Sequence, residues 1–486
     1  MNYIFLFLVC LSLVGCGPQR IFRSKSPDRL HLVEIWKHRD QQFLKLDGQE
    51  QRAFDGIAVD GLSWSDDSRR FAYPAKTAAG WFVVVDGQPN GPWSGIGEIV
   101  WSPDGLHYAY SAEKRRFWVV VHDGTKIGTD FDAIMEHSIV FSPNGQRFGY
   151  VVQDGRVMRA VVDGELGPKF DGVGRLGFSA DNLHIVYLAR RVDTAFLVID
   201  GRLSAPYESI ADIVLSPSGF HWAILARFEG AWHAIVDDVA GPAFDSIDSP
   251  VFSSTNQRMA YAAWKGKTAF VIVDGQEGAA FEEILPSSVV FDAQGTHMAY
   301  AARRGTSWRV VVDGREEKEY AKVSAPVLAA DSVAYVAERV DAVFVVLNGV
   351  EGSHFDRITD LALSADGKHH GYVGVKNQDS FIVIDAVAQK YDLVVDGTFV
   401  LSGHGQHWGC LIGDPKQRKL FLTIDGTRQI PMDTDDWIAA FVPNLRTPDL
   451  SAVFDQKNVV RRWLKAEIAK MSTTPGDSSP LPSTPQ

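Results

Sequence analysis

The sequence predicts an all-β chain, a β-propeller of about eleven four-stranded blades, and two observations predict it. A hydrophobic run closing in Asp-Gly returns about every 38 residues over most of the 486-residue chain. Inside each period lie four short strand-like segments, punctuated by Pro, Gly and Asp, with no helical pattern between them. Composition agrees, since 45% hydrophobic and 22% charged residues describe a globular chain rather than a disordered one. The charge balance, 48 Lys+Arg against 60 Asp+Glu for a net −12, excludes sequence-independent nucleic-acid binding, which rests on neutralising phosphates. Of three cysteines two fall in the first 16 residues, so no disulfide framework is expected.

Taken in chain order, the first element is an export signal over residues 1–16. Tyr3 to Val14 is an apolar run of 12 residues, too short for the roughly 20 that a spanning helix needs. It ends in Leu13-Val14-Gly15-Cys16, which resembles the bacterial lipobox, and the resemblance implies lipidation of Cys16 and a lipid-anchored envelope protein. The n-region departs from the usual pattern, being Met1-Asn2 with no Lys or Arg. Gly17 is not the Asp that commonly retains such proteins at the inner membrane, so the outer membrane is the expected address. Residues 17–30 then read as a polar tether.

Residues 31–444 carry the repeats. Asp-Gly markers stand at Asp47, Asp86, Asp123, Asp163, Asp200, Asp274, Asp313 and Asp425, with degenerate copies at Asp237, Asn348 and Asp385. The period around residues 99–136 shows the pattern. Ile99-Val100-Trp101 is a first strand (a), and Ser102-Pro103-Asp104-Gly105 is a turn with Pro and Gly where turns place them. His107 to Ala112 is strand b, and Phe117 to Val121 is strand c. A tight turn at Asp123-Gly124 leads to strand d around Phe131. The first repeat has no strand a, and Trp437 to Asn444 reads as one, so a C-terminal strand is expected to close the array as a single large ring or two rings. Beyond Pro448, residues 450–471 read as a short amphipathic helix, and 472–486, rich in Ser, Thr and Pro, as a disordered tail.

Trp101-Ser102-Pro103-Asp104-Gly105, Phe141-Ser142-Pro143-Asn144-Gly145, Leu215-Ser216-Pro217-Ser218-Gly219 and Leu363-Ser364-Ala365-Asp366-Gly367 resemble the WD-like repeats of the TolB-type propellers. The resemblance spans most of the chain and implies the fold. It implies little about function, because propellers host many functions and the α/β domain that precedes the TolB propeller has no counterpart.

Several slots recur. A tyrosine in strand b (Tyr73, Tyr110, Tyr150, Tyr187, Tyr261, Tyr300, Tyr335, Tyr372) reads as blade-to-blade packing, and Cys410 in that slot as a buried, inert thiol. An acidic slot follows the strand-d aromatic (Asp55, Asp132, Asp171, Glu208, Asp245, Glu282, Asp356, Asp392), and satisfying backbone N–H groups explains it more simply than cation binding does. The b–c loops are basic instead. Arg115, Arg116, Arg190, Arg191, Lys265, Lys267, Arg303 and Arg304 form the candidate binding face, for an envelope protein partner or an anionic glycan.

No nucleophile elbow, H-E-x-x-H, P-loop or dinucleotide fingerprint occurs, so no catalytic, cofactor or metal residue is assigned. The histidine pairs His369/His370 and His404/His407 sit at or beside a–b turns, and metal binding is not expected of either. The expected function is non-catalytic protein binding or scaffolding at the envelope. The alternative is a glycan-binding or glycan-processing propeller, a hydrolase or lyase with its site in the central channel.

Overall fold

The computed structural model describes residues 17–27, 30–219, 221–255, 257–414, 419–426 and 428–431, with Arg461, Leu464, Lys465 and Ile468. Over these residues the chain forms eleven separate antiparallel sheets, each a meander in which strands a, b, c and d follow in chain order. This is the blade of a propeller. Numbered along the chain, blades 1 to 5 begin at Gln19, Gly56, Gly95, Ala133 and Gly172, in a compact unit Met1–Pro206. Blades 6 to 11 begin at Ser209, Ser246, Glu283, Lys322, Arg357 and Leu393, in a second unit Tyr207–Gln486.

Blade 3 shows how sequence becomes sheet. Its strands run Gly95–Trp101, Tyr108–Lys114, Phe117–His122 and Thr125–Phe131. The b and c strands are sandwiched between neighbouring blades, so residues on both of their faces are buried. Hence Val119-Val120-Val121 is a continuous apolar run and not an alternation. Between strands c and d the Asp-Gly pair makes the tight turn: Asp123 has φ +46° and Gly124 φ +76°, the left-handed pair that a two-residue hairpin requires. The degenerate copies keep that geometry, Asp238 at φ +66° and Ala386 at φ +68° standing where glycine costs least.

The core is a series of layers between adjacent blades. Between blades 7 and 8, Ala260, Ala262 and Val271 meet Phe281, Tyr300 and Val311. The alanines of strand b let the next sheet approach, and its tyrosine fills the space. Six of the eight tyrosines lie edge-on to the preceding strand-d aromatic, as in Phe54–Tyr73 at 6.4 Å, Phe281–Tyr300 at 6.1 Å and Phe355–Tyr372 at 5.9 Å between centroids. The packing reading of the tyrosine slot stands. Cys410 occupies the same layer, is fully buried, and its thiol is pushed well above the ordinary range by burial.

At the N-terminus the structure departs from expectation. The segment read as a polar tether, 17–30, forms strand a of blade 1, Gln19–Lys25, paired with Leu32–His38. Arg20 pairs with Glu34 at 2.7 Å and Phe22 joins the core layer shared with blade 2. The slot that Trp437 to Asn444 was expected to fill is therefore occupied by the chain's own beginning, and 437–444 lie outside the described residues. So do the signal segment 1–16, most of 450–471 and the tail 472–486. No α-helix is among the named elements, so the C-terminal helix expected over 450–471 is not supported as an element, although the four described residues there, Arg461, Leu464, Lys465 and Ile468, are each helical. Leu464 and Ile468 are nonetheless buried on blade 11, against Val400, Leu411, Leu422 and Ile424.

Candidate interaction surface

Every b–c hairpin sits at the opposite end of its sheet from the a–b and c–d turns, so the two ends can be read separately.

At the a–b and c–d end a repeated network was missed in the sequence. The carboxylate of each Asp-Gly turn makes two contacts. In blade 3, Asp123 Oδ1 accepts from the Tyr108 backbone N–H at 3.0 Å, and Oδ2 lies 2.6 Å from His107 Nδ1. The serine opening the a–b turn closes the network: Ser102 Oγ accepts from His107 N at 2.9 Å and donates to Asp104. The same His–Asp pair occurs at His31–Asp47, His184–Asp200, His221–Asp237, His297–Asp313, His369–Asp385 and His407–Asp425, all between 2.6 and 2.7 Å. Arginine takes the slot in three blades, as Arg70–Asp86, Arg147–Asp163 and Arg258–Asp274. Being longer, it also reaches the next blade: Arg70 donates to Leu106 O and lies over Trp101 at 5.0 Å, and Arg258 donates to Thr296 O and lies over Phe291 at 5.3 Å. A fixed spacing of 16 residues from His or Arg to Asp, 18 in blade 11, carries the signal. The histidine pairs noticed in the sequence belong here, His369 and His407 being members of this slot.

At the b–c end the acidic slot does what the simpler reading expects. Asp132 Oδ2 accepts from Gly155 N at 2.7 Å, Asp171 from Val192 N at 2.7 Å, Asp245 from Gly266 N at 2.6 Å and Asp356 from Asn377 N at 2.7 Å. Each carboxylate ends one blade and caps the b–c turn of the next.

The eight candidate binding residues divide. Five are held by the protein itself. Arg191, Lys265 and Arg304 lie over the strand-d aromatics Phe170, Phe244 and Phe281 of the preceding blade at 4.7–4.8 Å. Lys265 also pairs with Glu277 at 2.7 Å, Arg304 with Glu316 at 2.9 Å and Arg303 with Glu283 at 2.8 Å. Arg190 donates to Val192 O at 2.7 Å. The remaining three, Arg115, Arg116 and Lys267, are exposed and take part in no ion pair or hydrogen bond among the described residues. Arg115 and Arg116 form the two-residue turn itself, at φ +52° and +74°. Apolar side chains stand out at the same hairpins: Val340 is 93% exposed, Val192 74% and Phe117 47%.

Strand a carries the carboxylates that channel chemistry would need, and several are engaged between blades. Glu98 pairs with His137 at 2.9 Å, and Asp248 accepts from Ser287 N at 3.3 Å. Asp360, whose carboxyl is pushed up by burial, accepts from Gly397 N at 2.7 Å. Among the described residues one group of three offers closely placed ligand atoms, His107, His122 and Asp123.

No family model matches the chain, and no curated protein matches it. Solved structures similar to it include a eukaryotic initiation factor, at 11% identity and a TM-score of 0.32 over 63% of this chain and 90% of that one. TolB from Acinetobacter baumannii is similar at 14% identity and a TM-score of 0.26 over 54% and 80% of the two chains. The Dos1 propeller is similar at 12% identity and 0.29 over 59% and 92%.

Proposed function

We propose that this chain is a non-catalytic, lipid-anchored bacterial envelope protein that binds a protein partner through its b–c hairpins. The observation that carries the reading is the character of the hairpin tips. Cations without an internal partner among the described residues (Arg115, Arg116, Lys267) and exposed apolar side chains (Phe117, Val192, Val340) stand at these turns, and at Val192 and Gly266 the turn is capped by a carboxylate, Asp171 or Asp245. Within one hairpin Phe117 follows Arg115 and Arg116, and an exposed aromatic beside arginines suits protein recognition, where such side chains dominate the contact energy. The engagement of strand-a carboxylates in inter-blade bonds supports binding over turnover. The anchor is Cys16 and the expected location the outer membrane, on the lipobox resemblance.

The experiment is in-cell cross-linking of the anchored protein followed by recovery and mass spectrometry, with Cys16→Ala as the control for anchoring. A stoichiometric envelope protein whose yield falls in Arg115→Glu/Arg116→Glu supports the reading. Recovery of no protein above background overturns it and leaves glycan binding as the next hypothesis.

A further inference from the structure

The last residue of strand c is aliphatic in ten of the eleven blades: Leu46, Val85, Val162, Ile199, Val236, Val273, Val312, Leu347, Ile384 and Ile424. In blade 3 it is His122. The departure falls beside a repeat His–Asp pair, so blade 3 gathers two imidazoles and a carboxylate; blade 10 also sets His369 and His370 against Asp385, but among the described residues only the blade 3 group brings one ligand atom from each residue within 4.8 Å of the others. We propose that His107, His122 and Asp123 form a binding site for one borderline divalent transition-metal ion such as Zn2+.

The geometry supports this. One ligand atom from each residue lies within 4.8 Å of the others. Asp123 Oδ2 is 2.6 Å from His107 Nδ1 and 3.8 Å from His122 Nε2. Ligands sharing a tetrahedral zinc ion at about 2.0–2.1 Å stand about 3.3 Å apart, so small side-chain rotations bring this set to bonding distance. Asp123 Oδ1 is already committed to the Tyr108 N–H, which fixes the carboxylate and leaves Oδ2 to face the ion. Where His107 coordinates through Nδ1, its ring proton sits on Nε2, so two neutral imidazoles and one carboxylate give the ligand set a single negative charge. The His122 ring packs face to face on Phe148, at 4.6 Å and 3° between planes, which fixes the plane of its imidazole. Asp123 is exposed, so water completes the coordination. Two imidazoles with a carboxylate suit zinc, nickel or copper better than calcium or magnesium.

The repeats supply two substitutions that their own blades tolerate. His122→Val restores the aliphatic residue of the other blades, and His107→Arg installs the alternative of blades 2, 4 and 7, which keeps the pair with aspartate. The full chain, stripped with a chelator, is titrated with Co2+ by absorbance and with Zn2+ by calorimetry. The expected result is one equivalent bound by the parent chain and an affinity at least about tenfold weaker in each variant, with thermal midpoints unchanged without metal. Binding of no equivalent by the parent overturns the proposal, as does an equivalent retained in His122→Val.

Discussion

Tyr110 and Tyr150 occupy the same slot in adjacent blades, and each is fully buried, yet the structure treats their hydroxyls differently. Tyr110 donates to Asn90 Oδ1 at 2.5 Å, and Asn90 in turn donates to Gly124 O at 2.8 Å. The Tyr150 hydroxyl has no hydrogen-bond partner among the described residues. Removing each with phenylalanine leaves the packed ring in place. Tyr110→Phe loses a bond and strands a part-buried acceptor, a cost of about 1–2 kcal/mol. Tyr150→Phe relieves a desolvated hydroxyl, so the effect runs from zero to a gain of about 1 kcal/mol. For a cooperative unit of about 200 residues, the first change lowers Tm by roughly 2–8 °C while the second leaves it level or raises it. Calorimetry on the two variants side by side checks this. Equal losses, or a larger loss in Tyr150→Phe, would show that the slot works by ring packing alone and refute the hydroxyl argument.

Other expectations follow from single contacts. His297 is held above the usual 6.5 by its hydrogen bond to Asp313, and His122 below it by burial, so NMR titration should place their midpoints on opposite sides. Because the folded value of His297 is raised, its pair contributes stability that is full below the unfolded pKa and lost as pH rises through the folded one. Cys410 should resist maleimide in the native protein and react once unfolded; rapid native labelling would contradict its burial. Leu464→Ala should cost about 2–5 kcal/mol locally, and hydrogen exchange should quicken in blade 11 while blades 1 to 5 stay unchanged.

The blade repeat was legible because turn chemistry and core pattern repeat together: Asp123-Gly124 makes the hairpin and Tyr110 fills the layer beside it. Strand a of blade 1 was not, because Gln19, Arg20, Arg23 and Lys25 give it no apolar alternation. The signal was present in another form, since Ser26-Pro27-Asp28 with Leu30-His31 repeats Ser102-Pro103-Asp104 with Leu106-His107. The His/Arg slot was hidden because two unlike side chains do the same work sixteen residues from their partner. The basic loops were visible as charge, but not their satisfaction. Glu277, Glu283 and Glu316 reach Lys265, Arg303 and Arg304 from neighbouring strands, and Phe170, Phe244 and Phe281 reach Arg191, Lys265 and Arg304 from neighbouring blades. Those proximities depend on sheet order. Of the eight candidate residues, Arg115, Arg116 and Lys267 are left without an internal partner among the described residues.

The claim that recognition lies at the b–c hairpins is tested most directly by reversing charge at each end of the sheets. Arg115→Glu/Arg116→Glu/Lys267→Glu alters that end, and Arg69→Glu/Lys368→Glu, at exposed a–b turns, alters the other. Cross-linked partner yield per molecule of anchored protein is then compared among the two variants and the parent. The account predicts loss of the partner in the first variant and parental yield in the second. Parental yield in the first with loss in the second would contradict it and move the binding surface to the His–Asp end.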